Sequence, residues 1–212
     1  MIEYLSIERI ALTIWEYDIS YIELIGTIFG MLSVYYAAKP DIKTWPTAII
    51  NQFAFFVLFF QVQLYADMFL QVYFFIATCY GWYFWRRREV ESRVFVLNHQ
   101  QRATYALVLV LATLTVGYLL QDIHTWFPGI FTLPAAYPFA DAFTTVASIM
   151  AMVLMARKRI ENWILWMAVD VVAVIVYFLK DIRLIAVEFI IFFIICVFGF
   201  VRWRQQLTHT NS

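Results

Sequence analysis

Seven predominantly apolar stretches, at residues 20–38, 46–64, 67–85, 103–120, 138–156, 163–179 and 184–201, dominate this chain of 212 residues. Each is 17–19 residues long, which suits a helix rising about 1.5 Å per residue across a hydrocarbon layer about 30 Å thick. Little else is open to such a sequence. Inside a bilayer every backbone N–H and C=O must be satisfied within the protein, which leaves helices and closed barrels. Barrel strands would be about half this length and would alternate in polarity. Composition agrees, with 64% hydrophobic and only 14% charged residues, near half the charged share of a soluble domain. The expected fold is an all-α polytopic membrane protein.

The breaks between the runs supply the topology. Residues 6–17 (Ser6-Ile7-Glu8-Arg9 through Tyr17) are amphipathic and too short to span, so they are expected flat on the membrane surface. The opening Met1-Ile2-Glu3-Tyr4-Leu5 has no basic region before an apolar core, and no cleavable signal peptide is expected. Pro46 opens the second span at a first-turn position, where its missing N–H costs little. Gln63-Leu64-Tyr65-Ala66-Asp67 is the expected turn between spans two and three, and residues 121–137, with Asp122, His124, Pro128, Gly129 and Pro134, are expected to be loop. The loops after spans one, three and five, together with the C-terminal tail, hold 12 of the 15 Lys and Arg residues. The positive-inside rule then places the N-terminus outside and the C-terminus in the cytoplasm.

A shift of 118 residues superposes Trp45 on Trp163, Gly81 on Gly199, Trp85 on Trp203, Arg86 on Arg204 and Phe60 on Phe178, with Lys39 meeting Arg157. No gap is needed across three helices, so the chain reads as a duplicated three-helix unit. One helix, 103–120, separates the copies, and both therefore cross the membrane in the same direction. The expected organisation is an N-terminal segment 1–18, a first repeat 19–86, a linker region 87–137, a second repeat 138–204 and a tail 205–212, a 3+1+3 plan. Parallel repeats of this kind occur in transporters, with the solute held near the midplane at the repeat interface.

Polar residues at depth carry the functional signal, because ionisable groups there are expensive. They are Glu23, Asn51, Gln52, Gln61, Gln71, Asp141, Asp170 and Glu188. In Glu161-Asn162-Trp163-Ile164-Leu165-Trp166-Met167-Ala168-Val169-Asp170, the residues Trp163, Trp166 and Asp170 stand at i, i+3 and i+7 on one helical face. Tryptophan faces stack on flat, preferably cationic heterocycles. Asp170 and Glu188 offer negative charge or acceptors for hydroxyls, and Gln71 and Asn51 each offer a donor and an acceptor. At about 1.5 Å per residue, Asp170 lies about 10 Å from the cytoplasmic entry and Gln71 about 6 Å from the outer one, which leaves room for a nucleoside-sized solute. Under the 118 shift Gln52 meets Asp170, Gln71 meets Phe189 and Asn51 meets Val169, a divergence that suits an asymmetric ligand. Glu23 and Asp141 superpose at helix starts, where negative charge complements the helix dipole.

Four stretches resemble the PnuC family of bacterial vitamin transporters, which is related in plan to SWEET sugar transporters: Gln61-Val62-Gln63-Leu64-Tyr65-Ala66, Leu70-Gln71-Val72-Tyr73-Phe74-Phe75, Tyr80-Gly81-Trp82-Tyr83-Phe84-Trp85 and Glu161-Asn162-Trp163-Ile164-Leu165-Trp166. The resemblance implies seven transmembrane helices, a homotrimer in the inner membrane, and facilitated diffusion of nicotinamide riboside trapped by a cytoplasmic kinase. It implies ligand contacts at Gln71, Trp163, Trp166 and position 170. Where typical nicotinamide riboside carriers have asparagine, this chain has Asp170, and thiamine, also a cation, is the alternative cargo. The candidate substrate-binding set is Trp163, Trp166, Asp170, Gln71, Asn51, Gln52, Glu188 and Asn162.

An enzyme is the competing class. Hydrolytic or transfer chemistry would need a nucleophile–base pair or metal ligands at depth. His99, His124 and His209 fall outside the spans, and no Gly-rich phosphate loop is present. Cys79 and Cys196 lie within apolar runs and read as small core residues. No cofactor, metal or nucleic-acid partner is expected.

Overall fold

The computed structural model describes residues 6–14, 17–61, 65–86, 94–129, 134–179 and 183–210. Within them are seven α-helices: α1 (Tyr21–Ala38), α2 (Thr44–Gln61), α3 (Tyr65–Trp85), α4 (His99–Trp126), α5 (Pro138–Ala156), α6 (Glu161–Leu179) and α7 (Arg183–Thr210). By length and composition α1, α4, α5, α6 and α7 can each cross a membrane. The other two, α2 and α3, are the repeat mates of α6 and α7. Chain packing separates two compact units, Met1–Arg93 and Val94–Ser212.

Two expectations about the breaks need correction. Part of the amphipathic 6–17 stretch is a β-hairpin, with β1 (Ile10–Ile14) antiparallel to β2 (Tyr17–Ser20). Thr13 pairs with Asp18 in the register, and its hydroxyl donates to the Asp18 carboxylate at 2.6 Å. The strands lead directly into α1: Ser20 caps that helix by accepting from the Glu23 N–H, and the Tyr21 N–H donates to the Arg9 carbonyl. The second correction concerns 121–137. Helix α4 continues to Trp126, taking Asp122 and His124 with it, and the chain leaves the helix only at Phe127-Pro128-Gly129. Polar side chains do not stop a helix whose backbone bonds remain available, whereas Pro does. Of the expected α2–α3 turn, Gln63 and Leu64 lie outside the described residues and Tyr65-Ala66-Asp67 already belong to α3, while Gln61 accepts from the Ile7 N–H at 3.1 Å.

The 118-residue repeat is present in three dimensions. Shifted by that amount, the bounds of α1, α2 and α3 fall within one residue of those of α5, α6 and α7 at every described end except the C-terminus of α7, which runs on beyond Trp203. In the first unit α2 packs between α1 and α3, and in the second α6 packs between α5 and α7. The turns repeat as well. After α5 the Arg159 N–H donates to the Leu154 carbonyl and the Lys158 N–H to the Met155 carbonyl, with Lys158 at φ 51°. That is the Schellman pattern. After α1 the Asp41 N–H donates to the Tyr36 carbonyl, the equivalent long bond, while Pro40 has no N–H for the short one. Glu23 and Asp141 both sit in first turns, as expected for charges placed against the dipole.

The cores share one device. Trp45 on α2 lies across Gly81 on α3 and meets Trp85 edge to face at 5.0 Å and 87°. Trp163 on α6 lies across Gly199 on α7 and meets Trp203 at 5.6 Å and 88°. All four indoles are buried to 1% exposure or less. A Cβ on Gly199 would stand 2.7 Å from the Trp163 ring, and one on Gly81 would overlap the Trp45 ring, so only glycine admits this approach.

Helix α4 belongs to the second unit, where it packs on α5. Its approach is sewn to the α5–α6 turn: the Phe95 N–H donates to the Lys158 carbonyl at 2.8 Å, and the Ile160 N–H to the Phe95 carbonyl at 3.0 Å. Glu161 Oε1 accepts from the Leu97 N–H at 3.0 Å and from the Arg102 guanidinium at 3.0 and 3.1 Å. The repeat mate of Glu161 is Lys43, so this clamp is particular to the second unit.

The tryptophan-on-glycine crossing gives the first prediction. Gly81→Ala and Gly199→Ala should each destabilise the protein by about 1–3 kcal/mol through overpacking, seen as lower thermal midpoints in detergent. Gly129→Ala, whose Cβ would meet nothing within 4 Å, should leave the midpoint unchanged. Equal effects at all three positions would refute the crossing as the cause.

Candidate functional site

The central helices α2 and α6 carry five of the buried polar residues: Thr44, Gln52, Glu161, Asn162 and Asp170. On α6, Asp170 is only 3% exposed. The thiol of Cys196 on α7 lies within interaction range of it, and its Oδ2 has no partner among the described residues. Trp166, one turn before Asp170 on the same helix, is half-buried and its indole N–H is likewise unpartnered. An unused donor and an unused acceptor thus lie four residues apart along one helical face. Burial without a partner costs each such group about 1–3 kcal/mol, a cost that a solute's own polar atoms would remove.

The first unit has the same arrangement in different chemistry. Gln52 on α2, 6% exposed, donates through Nε2 to the hydroxyl of Thr78 on α3 at 2.7 Å, and its Oε1 is unpartnered among the described residues. Gln52 is the 118-shift mate of Asp170, and Thr78 is the mate of Cys196. Cys196, read from sequence as a core residue, is therefore half of a repeated polar pair. Its alignment with Thr78 was the available signal, and a thiol within an apolar run masks it.

The remaining candidates sort by what they touch. Trp163 is fully buried, on Gly199 and Trp203, and does with its ring what Trp45 does in the first unit. Even its unpartnered indole N–H is repeated at Trp45. Trp163 occupies in its unit the packing position that Trp45 occupies in the first. Asn162, 0% exposed, donates through Nδ2 to the Arg159 carbonyl at 2.7 Å, and its Oδ1 is unpartnered among the described residues. It holds the start of α6. Asn51 donates to the Gly26 carbonyl at 2.8 Å, and a Cβ on Gly30 would come 2.8 Å from the same amide nitrogen. That side chain is spent on joining α2 to α1. Gln71 is half-buried on α3, and Glu188 is half-buried on α7, where it has an interaction partner. Within α6 and α7 the structure joins Trp166, Asp170 and Cys196; within α2 and α3 it joins Gln52 and Thr78.

A cavity of about 540 Å³ opens elsewhere in the second unit, between the start of α4, the start of α6 and the end of α7. Its walls are apolar apart from Arg102, Glu161 and Arg204, and neither Trp166 nor Asp170 lines it. Arg102 pairs with Glu161 Oε1, while Glu161 Oε2 is unpartnered among the described residues. Among the described residues no three His, Cys, Asp or Glu side chains gather where a metal ion could be held.

The family model described as nicotinamide mononucleotide transporter matches residues 20–205. The chain belongs to that family. It is 32% identical to the nicotinamide riboside transporter PnuC of Escherichia coli (strain K12), over 92% of this chain and 90% of that protein. It is 24% identical to the riboflavin/roseoflavin transporter RibM of Streptomyces davaonensis, over 91% of this chain and 89% of the relative. The crystal structure of the vitamin B3 transporter PnuC shares the fold with a TM-score of 0.67 at 19% identity, covering 89% of this chain and 83% of that one. Membership of this transporter family makes the chain a membrane transporter and not an enzyme, in keeping with the sequence-based choice between those classes. The polar pairs on the central helices are therefore weighed as solute contacts.

The division between packing and contact residues predicts opposite phenotypes for the two tryptophans of α6. Trp163→Ala should cost about 3–5 kcal/mol of stability, as truncation of a fully buried aromatic does, and Trp45→Ala should cost as much. Both should appear as a large drop in thermal midpoint or loss of folded protein, while Trp166→Ala should lower the midpoint far less. A Trp163→Ala protein of unchanged midpoint would remove Trp163 from the scaffold.

Proposed function

We propose that this chain takes up nicotinamide riboside by facilitated diffusion with alternating access. The observation that carries the reading is the unpartnered pair on α6, the Trp166 indole N–H and the Asp170 carboxylate oxygen, in a chain 32% identical to a nicotinamide riboside transporter over most of its length. Nicotinamide riboside is a flat cationic ring bearing a carboxamide and ribose hydroxyls. The Trp166 ring offers a face for the cation, and the Asp170 oxygen accepts from a hydroxyl or amide. Within the first unit, Gln52 and Gln71 are the polar groups available to a solute. Glu188 adds negative charge. The relatives named above favour nicotinamide riboside over thiamine, which none of them is named for.

Transport by this route needs two exposed states of equal standing, which transporters built from parallel repeats provide. The 12 of 15 basic residues on the side of the C-terminus support a cytoplasmic tail and an outward N-terminus in a bacterial inner membrane. Net uptake then depends on removal of the product inside, by a cytoplasmic kinase whose phosphorylated product no longer fits an acidic site. The assembly proposed is a homotrimer, as the family resemblance implies.

Tryptophan-fluorescence titration of the purified protein with nicotinamide riboside, thiamine and riboflavin tests the cargo: the first should bind at least tenfold more tightly than the others. Trp166→Ala should weaken that binding about tenfold, the value of one aromatic–cation contact of about 1.4 kcal/mol. In vesicles without any ion gradient the solute should equilibrate and not accumulate. Tighter binding of thiamine would reverse the cargo, and uptake that vanished with the proton gradient would refute facilitated diffusion.

A further inference from the structure

In the second unit α4 packs on α5 and α7 packs on α6, but α4 and α7 do not pack on each other. The cavity of about 540 Å³ lies in the gap this leaves, and its size is within the range of about 300–1,000 Å³ typical of ligand pockets. Its lining is graded from polar to apolar. On α4, Arg102 precedes Leu109 by two turns; on α6, Glu161 precedes Ile164 by one; on α7, Phe200 precedes Arg204 by one. Trp203 against Trp163 sets the end of α7 beside the start of α6, so the three charged residues share one end of the cavity and the apolar walls run away from it. Ala106 and Ile164, both lining residues, are exposed. The cavity therefore opens on the face of helices that can cross a membrane.

We propose that this cavity binds one acidic glycerophospholipid of the bilayer, with an acyl tail between α4, α6 and α7 and its phosphodiester at Arg102 and Arg204. A tail gains little from apolar walls that it would not gain from other lipid, so the head decides which lipid is held. Two arginines against one glutamate leave the polar end one net positive charge, which a single phosphodiester balances. Arg102 engages Glu161 Oε1 through Nε and Nη2, and its Nη1 stands outside that pair, on a side chain that is half exposed. Guanidinium N–H groups bind phosphate oxygens strongly, and basic pockets between membrane helices favour acidic heads. Glu161, 8% exposed, has its Oε2 unpartnered among the described residues, an acceptor that the hydroxyls of a glycerol head suit and the methyls of choline do not. The first unit has no such place, because the mate of Glu161 is Lys43 and α4 has no mate. A lipid here would tie α7 to the linker helix beside the Glu161–Arg102 clamp. The proposal is independent of which solute is carried.

Native mass spectrometry of the full-length protein, titrated in detergent with phosphatidylglycerol or with phosphatidylcholine of the same chains, tests the site. Wild type should retain one phosphatidylglycerol per chain and bind it at least tenfold more tightly than phosphatidylcholine. Arg204→Gln should weaken phosphatidylglycerol binding about fivefold, the attraction of one basic residue for an acidic lipid. Ala106→Trp, which places an indole in the cavity and leaves the charges alone, should abolish the retained lipid; Ala106→Leu replaces it should the larger ring prevent folding. Phosphatidylglycerol should raise the thermal midpoint of wild type and not of Ala106→Trp, while inorganic phosphate should leave both unchanged. Equal retention of the two lipids, or phosphatidylglycerol binding unaltered in both variants, would overturn the proposal. Stabilisation by inorganic phosphate alone would show an anion site without a tail and overturn it as well. Wild type that retains no lipid, with an oligomer that dissociates in Ala106→Trp, would assign the face to a second copy of the chain instead.

Discussion

The crossing of a tryptophan over a glycine determines how closely the central and third helices approach in each unit, and the polar pairs depend on that distance. Trp45 and Gly81 bracket Gln52 and Thr78 in sequence, at seven residues before and three after, and the mates in the second unit have the same spacing. Absence of a Cβ brings the α3 and α7 backbones against an indole face, and small residues at the crossing are how helices come close where lipid removes the hydrophobic drive. At that separation the short side chain of Thr78 or Cys196 reaches across to the neighbouring helix. A wider crossing would leave Gln52 and Asp170 to find partners along their own helices, where backbone groups are already used. The contacts are thus consequences of the packing, and their place in both units follows from the common scaffold.

Duplication explains which positions were free to change. The indole pairs, the glycines and the turn bonds after α1 and α5 are held in both copies because each serves the folding of its own unit. At the polar pairs the place is held while the chemistry differs, amide with hydroxyl in one unit and carboxylate with thiol in the other. Trp166 has Ala48 at its equivalent position. The Glu161–Arg102 clamp is a separate asymmetry. It secures α4 to the second unit, so the linker helix does not float between equals.

How much of this the sequence disclosed follows from the kind of signal each part leaves. Apolar runs, belts of Trp and Arg at helix ends and a gapless shift are long-range patterns, and they located every helix and the repeat. The hairpin at 10–20 left a weak signal: Ile10, Leu12 and Ile14 alternate with small or polar residues over only five positions, and the same letters suit an amphipathic helix at the interface. Helix α4 outran its expected end because Gln121, Asp122 and His124 are polar without being helix breakers. The face of Trp163, Trp166 and Asp170 was legible as a face, but not its division of labour, since three residues on one stripe can still meet three different neighbours. Trp163 is covered by α7, whereas Trp166, one turn on, is left half-buried with its N–H unused. Only the packing separates them. Cys196 stayed hidden for a chemical reason, because a thiol is apolar enough to read as core until a carboxylate stands beside it.

Asp170 itself was the residue that composition made conspicuous and that family resemblance left in doubt. Asparagine at this place would offer an acceptor and a donor, and could satisfy both within the protein. A carboxylate is acceptor-only. Its Oδ2, unpartnered among the described residues, is left to water or to a solute's donor. A buried, half-satisfied carboxylate is a poor device for stability, since replacing such groups by apolar ones is often neutral or better. On the proposed reading its unused oxygen is satisfied when a solute's donor arrives. The same reasoning applies to Gln52 with less force, because a neutral amide costs less to bury. The second unit, with the carboxylate and the half-buried tryptophan, therefore holds the costlier of the two buried groups, and a solute's donor there would relieve the larger penalty.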